Sequence, residues 1–134
     1  RLRSLRNEAF VQGKSHFVSS PKKRCVETLG PLQRAISSGE LFISPQLDEQ
    51  QENENNEGFR VRVENFMNSL MEGPWNWIFL CSHGDWLPFA LEYLQNENIL
   101  MRKAAWVEYE IIGYRRILTW VVPDSRLFCA NSEF

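Results

Sequence analysis

Residues 77–81 read Trp-Ile-Phe-Leu-Cys, an almost wholly apolar run that leads directly into Ser82-His83-Gly84. A short run of this composition is typical of a strand that is buried on both faces of a parallel sheet. The polar residues that follow it would then lie at the carboxyl end of the strand. That edge is where ligands of open α/β sheets bind.

The remainder of the chain alternates between the two kinds of secondary structure. The hydrophobic spacing predicts helices over residues 2–12, 20–36, 59–70 and 85–95. Runs of β-prone residues predict strands over 16–19, 41–44, 77–81, 105–112 and 116–122. This order predicts an α/β fold, a three-layer sandwich with a mainly parallel central sheet and helices on both faces.

Length and composition fit one domain over residues 1–134. Its 134 residues, 43% of them hydrophobic, suffice for a core without metal or disulfide bonds. We find no internal repeat and no long linker. The chain opens Arg-Leu-Arg-Ser-Leu-Arg with helical spacing, so we expect that the sequence begins inside a helix.

Charge and cysteine usage exclude several classes of partner. The net charge of −2 gives no global attraction to nucleic acid or to a membrane surface. Three scattered cysteines favour reduced thiols and a cytoplasmic protein. With two distant histidines they show no metal-ligand spacing, so we expect no metal and no other cofactor.

Two strand-to-helix junctions carry groups that suit an anion. At the first, Ser20-Pro21 resembles a helix start, and Arg24 can reach back over the helix mouth to clamp a phosphate. At the second, His83 follows the apolar strand and Gly84 permits close approach of a ligand. The alternatives are that Arg24 is a solvated helix residue and that His83 caps the next helix.

Together, these motifs resemble the histidine phosphatase superfamily, which includes the phosphoglycerate mutases. The Ser-Pro-x-x-Arg-x-x-x-Thr element of the family is matched by Ser20, Pro21, Arg24 and Thr28, and its Ser-His-Gly element by residues 82–84. The C-terminal hairpin, ending Thr-Trp-Val-Val-Pro, is similar to that of the small bacterial phosphohistidine phosphatases. The resemblance extends over nearly the whole chain.

The resemblance implies a metal-independent phosphatase with a phosphohistidine enzyme intermediate. Its substrate would be a phosphorylated small molecule or a phosphohistidine protein. Arg24 and His83 would bind the phosphoryl group and act in catalysis, with Ser20 and Gly84 also in the phosphate site. The acidic proton donor of the family would be Glu49, with Asp48 next, although both carboxylates could simply be solvated in a polar loop over residues 48–57.

The sequence also departs from the family. It contains no Arg-His-Gly, the element that carries the nucleophilic histidine, so we expect that the first strand is absent. An absent strand between those leading to Ser20 and His83 would leave a groove in the sheet. His16 is a poor substitute because four residues of strand place it about 13 Å from the pocket.

These departures leave two other readings open. The chain could be a catalytically inactive pseudo-phosphatase that binds a phosphorylated partner, or a structural domain that uses its acidic loop. The charge of Asp85 would repel phosphate unless this residue caps a helix. A cysteine phosphatase loop at Cys81 is excluded, because Leu87 stands where that loop needs an arginine.

Overall fold

The computed structural model describes residues 14–36, 39–95, 106–112 and 115–122. The helix predicted over residues 2–12 lies outside these ranges. The chain divides into two units, 1–86 and 87–134, and each is described by itself.

Within residues 14–36 and 39–86, the structure of the first unit shows three strands and two helices. The strands are β1 (Ser15–Ser19), β2 (Leu41–Ile43) and β3 (Trp77–Cys81). The helices are α1 (Lys23–Ile36) and α2 (Asn56–Met71), with a single 3-10 turn at Pro45–Leu47. The predicted alternation of strand and helix is therefore confirmed in this unit, which is an α/β structure.

The three strands form a parallel sheet in the order β2-β1-β3. β1 pairs with β3 over five residues, from Ser15 with Trp77 to Ser19 with Cys81. Because these strands are direct neighbours, there is no groove between them for another strand. The prediction that residues 77–81 are buried on both faces is wrong for the described sheet. β1 is its central strand, and within β3 only Phe79 is buried.

Both helices bury one face, as their hydrophobic spacing predicts. The core side chains of α1 are three to four residues apart: Cys25, Leu29, Leu32 and Ile36. Those of α2 follow the same spacing: Phe59, Val63, Met67 and Leu70. In the sheet, the Phe17 and Phe79 rings stack with their centroids 4.5 Å apart, which fits their position as a register pair.

Two helix starts differ from the sequence prediction. α1 begins at Lys23, after Ser20-Pro21, and the Ser20 hydroxyl is turned toward the sheet edge. The helix predicted from residue 85 begins at Leu87. The residues before it form a turn, closed by a hydrogen bond from the Trp86 N–H to the His83 carbonyl. Ser20 Oγ still accepts the Lys22 N–H at 3.3 Å, one residue before α1 begins, whereas the hydrogen bond described for Asp85 comes from the Gln50 N–H and not from its own helix.

The second unit contains α3 (Leu87–Gln95) and a hairpin of β4 (Trp106–Ile112) and β5 (Arg115–Val122). The two strands are antiparallel, with an irregularity between Glu108 and Tyr109. Residues 113–114, between the two strands, lie outside the described ranges. No helix within the described ranges has the length and apolarity to span a bilayer.

Candidate functional site

Arg24 and His83 meet at the carboxyl edge of the sheet. β1 and β3 are adjacent and parallel, so the residues that follow Ser19 and Cys81 emerge side by side. Arg24 Nη2 lies 3.0 Å from His83 Nδ1, and Ser20 Oγ lies 2.8 Å from His83 Nε2. The structure thus brings His83 together with Ser20 and Arg24, which precede it by 63 and 59 residues, as the strand-end argument predicts.

The contacts of His83 define which ring nitrogen carries the hydrogen. A guanidinium only donates hydrogen bonds, so Nδ1 of His83 must accept from Arg24. The hydrogen of the neutral ring is therefore on Nε2 and is donated to Ser20 Oγ. Burial, and then the positive charge of Arg24, lower the pKa of His83 below its usual value of 6.5. Both this pKa shift and the contact with Arg24 favour the neutral imidazole.

Two carboxylates reach the same pair of residues. Glu49 Oε2 lies 3.1 Å from Arg24 Nη2, and Asp48 Oδ1 lies 3.4 Å from His83 Nε2. Lys22 Nζ is 3.7 Å from Asp48 Oδ2, which adds a second cation at the rim. A negatively charged group thus already occupies the guanidinium of Arg24. The two side chains of this ion pair are also exposed, 65% for Arg24 and 42% for Glu49, so each keeps contact with solvent.

The loop that carries these carboxylates is held in place by Arg62 of α2, a residue that the sequence analysis missed. Its guanidinium donates to the backbone carbonyls of Gln46, Asp48 and Glu49 at 2.8 to 3.1 Å. It also forms a bidentate salt bridge with the Glu54 carboxylate, with both contacts at 2.9 Å. The signal in the sequence was an arginine between the core positions of α2, next to an acidic loop.

The segment after β3 holds the loop from the other side. Ser82 Oγ donates to the Leu47 carbonyl, and Trp86 Nε1 donates to the Gln46 carbonyl at 2.8 Å. Asp85 Oδ2 accepts the Gln50 N–H at 3.0 Å, so its role in the structure is to anchor the loop. Residues 51–53 and 55–57 are exposed, as expected for a solvated loop, whereas the backbone of residues 48–50 is anchored by these contacts.

Gly84 and Cys25 complete the surroundings of His83. Gly84 lies in the exposed turn that follows the histidine, and its part in phosphate binding stays a prediction. Cys25 Sγ lies 3.6 Å from the Ser82 carbonyl and 4.0 Å from His83 Nε2. A hydrogen bond with Cys81 lowers the pKa of Cys25 to about 7, and the same bond raises that of Cys81.

His16 lies away from this cluster, as its position in β1 predicts. Its ring stacks on Trp75 at 4.3 Å and also approaches Phe42. It pairs with Ile78, three residues before the strand end that leads to the pocket. Among the residues that the structure describes, no group of three or more His, Cys, Asp or Glu side chains is arranged to hold a metal ion.

Comparison with known proteins gives a likeness in fold. No family model and no curated protein matches the sequence. The fold is similar to that of a phosphoserine phosphatase from Entamoeba histolytica, a histidine-to-alanine mutant solved in complex with phosphoserine. The TM-score is 0.59 at 16% sequence identity, over 89% of this chain and 80% of that one. At this identity the likeness shows the fold alone.

Proposed function

We propose that this pocket binds the phosphoryl group of a small phosphomonoester or of a phosphohistidine, as part of a metal-independent phosphatase. The observation that carries the proposal is the position of Arg24 Nη2. This nitrogen lies 3.0 Å from the imidazole of His83 and 3.1 Å from the carboxylate of Glu49. A guanidinium and an imidazole that touch at a sheet edge, each beside its own carboxylate, are groups from which a phosphate site can be built.

The likeness to a phosphoserine phosphatase supports this proposal at the level of the fold. We also propose that the complete fold is a three-layer sandwich of the phosphoglycerate mutase-like kind. We infer the substrate class from the pocket residues. The phosphoserine bound to the neighbour is a phosphomonoester of the same kind.

Each residue then has a distinct task. Arg24 would exchange its carboxylate and imidazole partners for two phosphoryl oxygens, which its planar guanidinium can bind together. Once Arg24 turns away, Nδ1 of His83 is free to take a proton, which a neighbouring dianion favours. His83 would then donate to a phosphoryl oxygen as charge develops in the transition state.

Once released from Arg24, Glu49 would take up a proton beside the phosphoryl dianion and then donate it to the leaving oxygen. Its carboxylate stands at the rim, with 42% of the side chain exposed, and it is displaced from Arg24 when phosphate enters. A carboxyl group at this place can reach an ester oxygen that points out of the pocket. Ser20 is fully buried and holds the imidazole, so we assign it to orientation of His83.

The nucleophile of a phosphohistidine intermediate has no match among the 134 residues. Both ring nitrogens of His83 are engaged, and His16 lies against Trp75. This observation favours a second candidate function, a pseudo-phosphatase that binds a phosphorylated partner and does not hydrolyse it. Both functions share the same anion pocket and differ only in turnover.

Binding of inorganic phosphate to the 134-residue chain tests the shared pocket. We expect that Arg24→Ala weakens the affinity, measured by calorimetry, by about tenfold to a hundredfold, the range for hydrogen bonds to charged groups. Arg34→Ala, an exposed arginine in the last turn of α1, is the matched control and should leave the affinity unchanged. Equal affinities of the wild type and Arg24→Ala would refute the pocket.

Hydrolysis of p-nitrophenyl phosphate without added metal separates the two functions. In a protein that joins this sequence to a nucleophilic histidine, Arg24→Ala and His83→Ala should each slow turnover about a hundredfold or more, the effect of one lost transition-state contact. The 134-residue chain should bind phosphate without turnover. If no protein that contains this sequence hydrolyses the ester, the pseudo-phosphatase is the better description.

A further inference from the structure

We propose that Arg62 is a positioning residue that holds Glu49 at the mouth of the pocket. The inference rests on the proposed function and deepens it, because it states how the proton donor is held before and after phosphate enters. Arg62 does not touch Arg24 or His83 in the structure through any of its described hydrogen bonds, so it would act through the loop.

The hydrogen bonds of Arg62 leave it no capacity for a ligand. A guanidinium has five N–H donors, and the structure shows five hydrogen bonds from this one. Three end on backbone carbonyls of the loop and two on Glu54. Only 19% of its side chain is exposed, and its guanidinium lies 4.8 Å from the centroid of the Phe59 ring. The donors of Arg62 are therefore all committed to loop geometry.

The bond to the Glu49 carbonyl determines where the carboxylate can go. Since the backbone of Glu49 is fixed at 3.1 Å from Arg62 Nη2, only the side chain moves when Arg24 takes another partner. The displaced carboxylate then remains at the pocket rim, beside the leaving oxygen. The same tether keeps Glu49 on Arg24, where it would compete with an entering phosphate.

Because Glu49 competes with phosphate for Arg24, substitutions that remove or release Glu49 should increase the affinity for phosphate. Glu49→Gln should tighten the binding of inorganic phosphate to the 134-residue chain by about 1.5-fold to 5-fold, the range that exposed ion pairs contribute. Arg62→Lys should tighten it in the same direction, because three ammonium donors cannot replace the planar fork. In the double variant the affinity should equal that of Glu49→Gln alone, since both changes remove the same competitor.

The control is Arg34→Lys, which makes the same substitution on an exposed residue of α1 and should leave the affinity unchanged. General loosening of the fold would weaken phosphate binding, so the direction of the effect separates positioning from a merely structural role. Arg62→Gln serves as a second variant if Arg62→Lys does not fold. An unchanged affinity in Arg62→Lys, with tighter binding in Glu49→Gln, would overturn the proposal.

Amide hydrogen exchange gives a readout that needs no ligand. In Arg62→Lys the amides of residues 49–51 should exchange faster than in the wild type, because the loop loses its anchor. Unchanged exchange would also overturn the positioning role. If phosphate does not bind the wild type, the proposed function fails, and the exchange rates still decide whether Arg62 holds the loop.

Discussion

Mild acid should destabilise this fold through its two histidines, His16 and His83. The pKa of each is lowered in the folded chain, first of all by burial. For His83 the geometry adds a reason, since a proton on Nδ1 would face the N–H of Arg24 at 3.0 Å. Protonation must therefore break that contact.

The sign follows from the difference in proton binding. The unfolded chain takes up these protons near pH 6.5, whereas the folded chain takes them up only at lower pH. The free energy of unfolding therefore falls as the pH drops through 6.5, and the fall ends below the folded-state pKa values. Its slope reaches at most about 1.4 kcal/mol per pH unit for each histidine.

Urea unfolding, followed by tryptophan fluorescence between about pH 6.5 and 5, measures this slope. His83→Gln keeps a neutral polar group and should remove the share of the slope that belongs to His83. This pH range lies outside the titration of two other groups. The hydrogen bond from Arg62 lowers the pKa of Glu54 below 4.5, and the change at Cys25 lies at about pH 7 and above.

Two outcomes would refute this reasoning. An identical pH slope in the wild type and in His83→Gln would show that the imidazole is not held neutral by its partners. A rise in stability on acidification would show that protonated histidine is favoured in the folded state, so that the assigned hydrogen bonds from Arg24 and to Ser20 are wrong.

Two substitutions near the pocket test its internal hydrogen bonds. Ser20→Ala removes the fully buried acceptor of His83 Nε2–H and should lower the free energy of unfolding by about 1–3 kcal/mol; a loss below the error of urea titration would contradict the pairing. Trp86→Phe deletes the donor to the Gln46 carbonyl and part of a fully buried ring, at about 2 kcal/mol or more. The same titration checks it, and an unchanged midpoint would show that this indole does not anchor the loop.

The convergence of Arg24 and His83 could be predicted because it depends on a general property of parallel sheets. Each residue follows the carboxyl end of a strand, and such ends meet at one edge whichever strand lies between. The core faces of α1 and α2 could be predicted for a similar reason, since helical periodicity alone determines which side chains point inward. The roles of the pocket residues stay predictions.

The pairing order could not be predicted, because it depends on contacts across the chain. Trp77–Cys81 is the more apolar strand, yet β1 lies at the centre of the described sheet. The anchoring role of Arg62 could not be predicted from the sequence for the same reason. It depends on carbonyl groups 13 to 16 residues away, and every residue has a carbonyl whatever its side chain. Composition marked residues 48–57 as polar but carried no sign of these tertiary hydrogen bonds.

That reliance on main-chain oxygens has a consequence for divergence. Positions 46, 48 and 49 can exchange their side chains without loss of the hydrogen bonds from Arg62, because the acceptors are part of the peptide unit. The backbone conformation at these three positions therefore does not depend on which side chains they carry. Lineages that inherit this backbone could retain the shape of the pocket rim while its chemistry drifts. In such a protein, structural similarity to relatives persists after sequence similarity has been lost.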